Sequence, residues 1–147
     1  MKAVVTRVTS ASVTSGGEVC GQIGRGFLVL LGVGPNDTEA QAARLADKVT
    51  GLRVFEDENE KMNRNLAAVG GGLLVVSQFT LYADTKSRRP GFTGAAKPDV
   101  AIPLYEAFLS ECARLGFPPQ HGRFGADMQV YSVNDGPVTI LLDTDLM

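Results

Sequence analysis

Leu73-Leu74-Val75-Val76-Ser77-Gln78-Phe79-Thr80-Leu81 reads as one buried β-strand that changes character halfway along. Aliphatic residues 73–76 give way to a cluster carrying the hydroxyls of Ser77 and Thr80 and the primary amide of Gln78. Strands buried on both faces stay apolar, because an unpaired polar side chain in a protein interior costs about 1 to 3 kcal/mol. Ser77, Gln78 and Thr80 therefore need partners, and a polar substrate is one candidate.

Upstream of this run the sequence alternates as a meander does, over residues 3–8, 11–15, 18–23 and 27–31, with Gly16-Gly17 as a tight-hairpin signal. Thr38 and Gln41 form a capping box, and Ala42, Leu45, Ala46, Val49 and Leu52 recur at helical spacing, with Gly51 as a stop signal. Tyr105, Phe108, Leu109, Cys112 and Leu115 define a second helix closed by Gly116; Pro103 belongs in its first turn, so the helix is expected to start there. Residues 53–55 form a short strand candidate, 56–65 a polar loop, and 122–125, 128–133 and 138–143 further strands. The order of strands, helix, strands, helix, strands predicts an α+β fold with two main helices and a mostly antiparallel or mixed, barrel-like sheet. A chain of 147 residues fits one domain, 1–147.

Composition excludes several classes of function. Hydrophobic content of 44% and charged content of 20% are ordinary for a globular protein. The longest aliphatic run, 27–33, falls far short of the ~20 residues of a membrane helix. Cys20 and Cys112 are isolated, which fits reduced thiols in a cytoplasmic protein with no membrane association. A net charge of −2 argues against a protein that coats a nucleic-acid backbone, although Lys86, Arg88 and Arg89 form one local basic group and Lys61 and Arg64 another. His121 is the sole histidine, and no GxSxG elbow, metal-ligand spacing, P-loop or GxGxxG is present, so neither metal nor cofactor is expected.

Asp135-Gly136-Pro137 is the second unusual segment. Asp-Gly signals a hairpin, yet Pro137 removes a backbone donor where the next strand should begin. The pair offers exposed carbonyls with little side chain in the way. From the residues alone a trans bond is the default, since X-Pro bonds are cis in about 5 to 6% of cases.

Ser77-Gln78-Phe79-Thr80-Leu81-Tyr82-Ala83-Asp84 together with Asn134-Asp135-Gly136-Pro137-Val138-Thr139 closely resembles the two signature segments of the D-aminoacyl-tRNA deacylases, also called D-tyrosyl-tRNA deacylases. The similarity extends to residues 1–8 with Arg7, to LRVFEDENEKMN at 52–63, and to Phe124-Gly125-Ala126-Asp127-Met128. The resemblance implies a homodimer of barrel-like units that hydrolyses the ester joining a D-amino acid, or glycine, to the 3′-terminal ribose of tRNA. It implies a cis Gly136–Pro137 bond that reaches into the partner's site, grips the substrate amino group through carbonyl oxygens and leaves no room for an L side chain. On the same resemblance Ser77, Gln78, Phe79 and Thr80 are the catalytic segment. Arg7 would hold the crossing loop, while Phe124, Ala126 and Met128 would support the pocket for the terminal adenosine. Lys86, Arg88 and Arg89 would meet the acceptor stem. The loop Ser87-Arg88-Arg89-Pro90-Gly91-Phe92 departs from the Gly-x-Arg-Pro-Ser-Phe pattern common in the family.

Thr80 is a tempting nucleophile without an activating base beside it in sequence. Direct attack by water is the favoured reading, with backbone N–H groups near Phe79 and Thr80 stabilising the oxyanion and the substrate 2′-hydroxyl assisting. The rivals are a non-catalytic tRNA-binding module and a deacylase of mischarged L-aminoacyl-tRNA.

Overall fold

A computed structural model describes residues 1–147. Strand β1 (Lys2–Ser15) turns through Gly16 and Gly17, both at positive φ, and the chain returns as β2 (Glu18–Ile23) and β3 (Gly26–Gly32). β2 pairs with the far half of β1, from Ala11↔Ile23 to Ser15↔Glu18, and β3 with the near half, from Lys2↔Gly32 to Val8↔Gly26. The two act as one bent strand along a single edge of β1. The runs predicted separately at 3–8 and 11–15 thus lie on one continuous strand.

Helix α1 (Glu39–Gly51) carries the predicted capping box: the Thr38 hydroxyl accepts from the Ala40 N–H and the Gln41 side chain from the Thr38 N–H. Gly51 is the last helical residue and Leu52 the cap. The segment expected to be a strand and a polar loop is a small hairpin, β4 (Phe55–Glu56) with β5 (Met62–Arg64), followed by one helical turn, α2 (Leu66–Val69). Polar side chains build it. The Asp57 carboxylate accepts from the N–H groups of Asn59 and Lys61, and these bonds lower its pKa and close the turn without any apolar alternation.

The opening run is only partly a strand. β6 (Gly72–Ser77) lies parallel to β3, from Gly26↔Gly72 to Leu31↔Ser77. Gln78 N–H still donates to the Leu31 carbonyl at 2.8 Å, after which Leu81 N–H bonds Gln78 and Ala83 N–H bonds Thr80, turning residues Phe79–Tyr82 into a 3₁₀ helix. The switch to polar residues marks the end of the strand, where side chains leave the core.

α3 (Pro98–Arg114) begins before Pro103, which sits inside the helix; Pro98 occupies the first turn, where a missing N–H costs nothing. After it come β7 (Gln120–His121), parallel to β6, and β8 (Gln129–Asp143), antiparallel to β1. The predicted strand at 122–125 is a turn, with the Ala126 N–H donating to Arg123. The predicted pair at 128–133 and 138–143 is one 15-residue strand. Its register on β1 shifts around Val8, and the Gly136–Pro137 bond inside it is cis, which corrects the trans default.

The result is a mixed sheet nearly closed into a barrel, with α1 and α3 packed over its main core. Phe27 stacks on Phe55 with ring centroids 5.2 Å apart, beside the fully buried Phe108 and Leu45. Val8, Val13, Leu28, Leu74 and Val76 form a second, smaller core.

Parallel pairing of β3 with β6 depends on backbone contact at Gly26, whose φ is +156°; a Cβ there would lie 2.0 Å from the Gly72 carbonyl oxygen. Gly26→Ala is expected to lower the unfolding free energy by at least about 3 kcal/mol, while Gly24→Ala, with nothing within 4 Å, changes it by less than about 0.5 kcal/mol. Urea unfolding of the two variants tests the contrast.

Candidate active site

Thr80 sits in the 3₁₀ turn that follows β6, and its hydroxyl accepts a hydrogen bond from the Gln78 amide nitrogen at 2.5 Å. The amide and hydroxyl that lacked visible partners in the sequence therefore satisfy each other in part. Beside Thr80 lies a cavity of about 520 Å³ that is also lined by Lys2, Leu81, Leu141 and Asp143. Sequence reasoning missed Lys2 and Asp143. Neither is near Thr80 in the chain, and only the pairing of Lys2 with Asp143 across β1 and β8 brings them to this end of the sheet. Lys2 Nζ stands 4.6 Å above the Tyr82 ring. Burial, reinforced by Asp37, Asp143 and Asp145, pushes the Tyr82 hydroxyl pKa upward, so the phenol stays protonated.

Gly136 and Pro137 lie elsewhere. Ser77 shares the level of Ala3 through Leu31, whereas Gly136 falls opposite Arg7, between Thr139↔Thr6 and Asn134↔Val8. At a strand rise of roughly 3.3 Å per residue the two levels are about 13 Å apart along β1. β8 and β6 are also separated laterally by β1 and β3. One chain does not bring the two signature segments together.

Arg7 fixes the second segment. Its side chain is only 6% exposed, although it carries a full charge. Nε donates to the Asp135 carbonyl at 3.2 Å and faces the Asp135 carboxylate at 3.1 Å, while Nη1 donates to the Val54 carbonyl at 2.6 Å. Glu56 stands 3.6 Å from Nη2. A buried guanidinium is tolerable only with such a set of acceptors. They come from β8 and from the hairpin around β4, two elements the sequence did not link.

At Gly136 an added Cβ would meet nothing within 4 Å, and φ is not positive. The chain's own packing and backbone do not demand glycine there. Phe124 is half-buried, with its ring 5.8 Å from Tyr105, and Met128 lies against Gly122 and the smaller core. Neither they nor Ala126 line the cavity beside Thr80. His121 bonds its neighbour Gly122 through Nδ1, next to Val75 on β6. Lys86, Arg88 and Arg89 are exposed on the loop after the 3₁₀ turn.

A family model described as D-Tyr-tRNA(Tyr) deacylase matches residues 4–143. The chain belongs to the D-Tyr-tRNA(Tyr) deacylase family. Among relatives in this family, a D-aminoacyl-tRNA deacylase of Roseiflexus castenholzii is 59% identical over 145 residues, covering 98% of this chain and 92% of its own. One of Symbiobacterium thermophilum is 57% identical, covering 99% of this chain and 97% of its own. A solved structure described as a c-Myc DNA unwinding element binding protein superposes with a TM-score of 0.92 at 44% identity, over 98% of this chain and 99% of that one. A probable eukaryotic D-amino acid tRNA deacylase superposes at 0.85 with 14% identity, over 96% and 97% of the chains, a likeness of fold.

Removal of the guanidinium leaves the buried Val54 carbonyl and the Asp135 backbone without their donor. Arg7→Met is expected to lower the unfolding free energy by about 2 to 4 kcal/mol. An unchanged denaturation midpoint would contradict the role of Arg7 in holding β8 to β4.

Proposed function

We propose that the protein hydrolyses the ester between a D-amino acid and the 3′-terminal ribose of tRNA, releasing free tRNA and the D-amino acid, and that it works as a homodimer. The deacylase relatives supply the reaction. The observation that carries the mechanism is Gly136, a glycine that nothing in its own chain requires, on a segment clamped by a buried arginine. Space kept open at a rigid position is what a site needs when it selects by exclusion. The Gly136 and Pro137 carbonyls then accept from the substrate α-ammonium group, and an L side chain would collide with them. Glycine esterified to tRNA has no side chain to exclude, so the same site accepts it.

The separation of the two signature segments within one chain supports assembly of the site from two copies. β8 supports it further, because its outer edge has no partner strand and it exposes apolar side chains, Tyr131 at 58% and Leu141 at 69%. Long exposed edges of this kind are normally covered.

In the proposed step water attacks the ester carbonyl. No side chain caps the 3₁₀ turn, so the N–H groups of Phe79 and Thr80, which a helical turn leaves without internal partners, are available to the developing oxyanion. Thr80, held by Gln78, positions substrate or water; no base contacts its hydroxyl in the hydrogen-bond network. The substrate 2′-hydroxyl assists proton transfer, and the family resemblance assigns Phe124, Ala126 and Met128, which lie outside the cavity beside Thr80, to the support of the nucleoside. The protein acts where tRNA is charged, in the cytoplasm.

Hydrolysis of D-Tyr-tRNA by catalytic amounts of the purified protein tests the reading. Binding without turnover would leave a tRNA-binding module, and rapid cleavage of L-aminoacyl-tRNA would point to the opposite chirality. Thr80→Ala should slow hydrolysis by roughly ten- to hundredfold without abolishing it; a trapped acyl-enzyme would instead make Thr80 the nucleophile. Gly136→Ala should leave the melting temperature within about 2 °C of the parent yet remove most activity on D-Tyr-tRNA. Full activity with unchanged chirality in that variant would overturn the role of Gly136.

A further inference from the structure

Phe79 and Phe92 pack edge to face with ring centroids 5.2 Å apart, yet Phe79 remains 54% exposed. Neither ring belongs to the main or the smaller core. The pair sits at the root of the loop from Asp84 to Gly91, which is closed by reciprocal backbone bonds: Asp84 N–H to the Gly91 carbonyl at 2.7 Å and Gly91 N–H to the Asp84 carbonyl at 2.9 Å. Within the loop the Ser87 hydroxyl donates to the Arg89 carbonyl, and Lys86 N–H donates to the Asp84 carboxylate. Lys86, Arg88 and Arg89 project from this braced loop, exposed and without ion-pair partners. An exposed aromatic face therefore lies beside a rigid cationic loop, one residue from Thr80.

We infer that Phe79 and Phe92 form a stacking platform for the bases just upstream of the 3′-terminal nucleoside, with Lys86, Arg88 and Arg89 taking the intervening phosphates. The inference rests on the deacylase reading and adds to it where the single-stranded end of the substrate lies. Single strands are held by this combination, because every base offers a π-face and every linkage a charge. An acidic peptide would match the charge alone. It would find no free backbone where Asp84 and Gly91 already bond each other. Beside the platform the Gln78 amide nitrogen donates to the Thr80 hydroxyl. Stacking of this kind tolerates any base.

The test compares two substrates, D-Tyr-tRNA and D-tyrosyl-adenosine, which lacks every upstream nucleotide. Phe92→Ala should raise KM for D-Tyr-tRNA about tenfold with kcat unchanged, and leave D-tyrosyl-adenosine hydrolysis unaltered; Phe92→Tyr should restore the parent KM. Equal losses on both substrates, or no change in KM on D-Tyr-tRNA, would overturn the platform. Fluorescence anisotropy with an uncharged RNA tetranucleotide supplies a readout independent of ester cleavage. Its binding should weaken about tenfold in Phe92→Ala and fall with rising salt, less steeply in Arg88→Ala/Arg89→Ala. Loss of ester hydrolysis by the parent with this pattern intact would count against the deacylase reading alone. RNA affinity unchanged in Phe92→Ala, or an acidic peptide bound in preference to RNA, would count against the platform alone.

Discussion

Strand β1 is hydrogen-bonded along both edges for most of its length, by β2 and β3 on one side and β8 on the other. Every other part of the molecule is placed relative to it. β3 carries β6 and the turn holding Thr80, and β8 carries Gly136 and Pro137. Arg7, at the middle of β1, reaches β8 and the hairpin around β4 at once. One buried cation thereby ties the irregular part of β8 to a peripheral element. The interaction is costly to bury and costly to break, which makes it a strong positional constraint.

Local signals in the sequence were sufficient for the elements they govern. The glycine pair specified the β1–β2 hairpin, and Thr38 with Gln41 specified the start of α1, because turn and cap chemistry act over a few residues. Pro103 is a poor boundary signal: a proline marks a first turn by preference, yet α3 starts with Pro98 and accommodates both. The hairpin of β4 and β5 was invisible to a reading based on apolar alternation, since side-chain bonds from Asp57 make it. Gly-Pro interrupts strands by default and so splits β8 in two at the level of sequence, whereas in the fold pairing with β1 continues on both sides of a register shift.

The candidate site was legible to the extent that its residues are contiguous. Ser77 to Thr80 and Asn134 to Pro137 stand out as runs, and resemblance supplied their context. Lys2 and Asp143 were not legible, because strand pairing brings them to the Thr80 cavity from opposite ends of the chain. The acceptors of Arg7 were hidden for the same reason. Backbone carbonyls of Val54 and Asp135 carry no sequence signature at all.

The open space around Gly136 separates two kinds of constraint that usually coincide. A glycine forced by positive φ or by a crowded neighbour, as at Gly26, is held in place by folding itself. Position 136 is not. Selection for cellular abundance would pass small side chains there as readily as glycine, so a mutational scan scored on expression would be blind at this residue. Drift at 136 would then yield well-folded proteins altered only in what occupies that space.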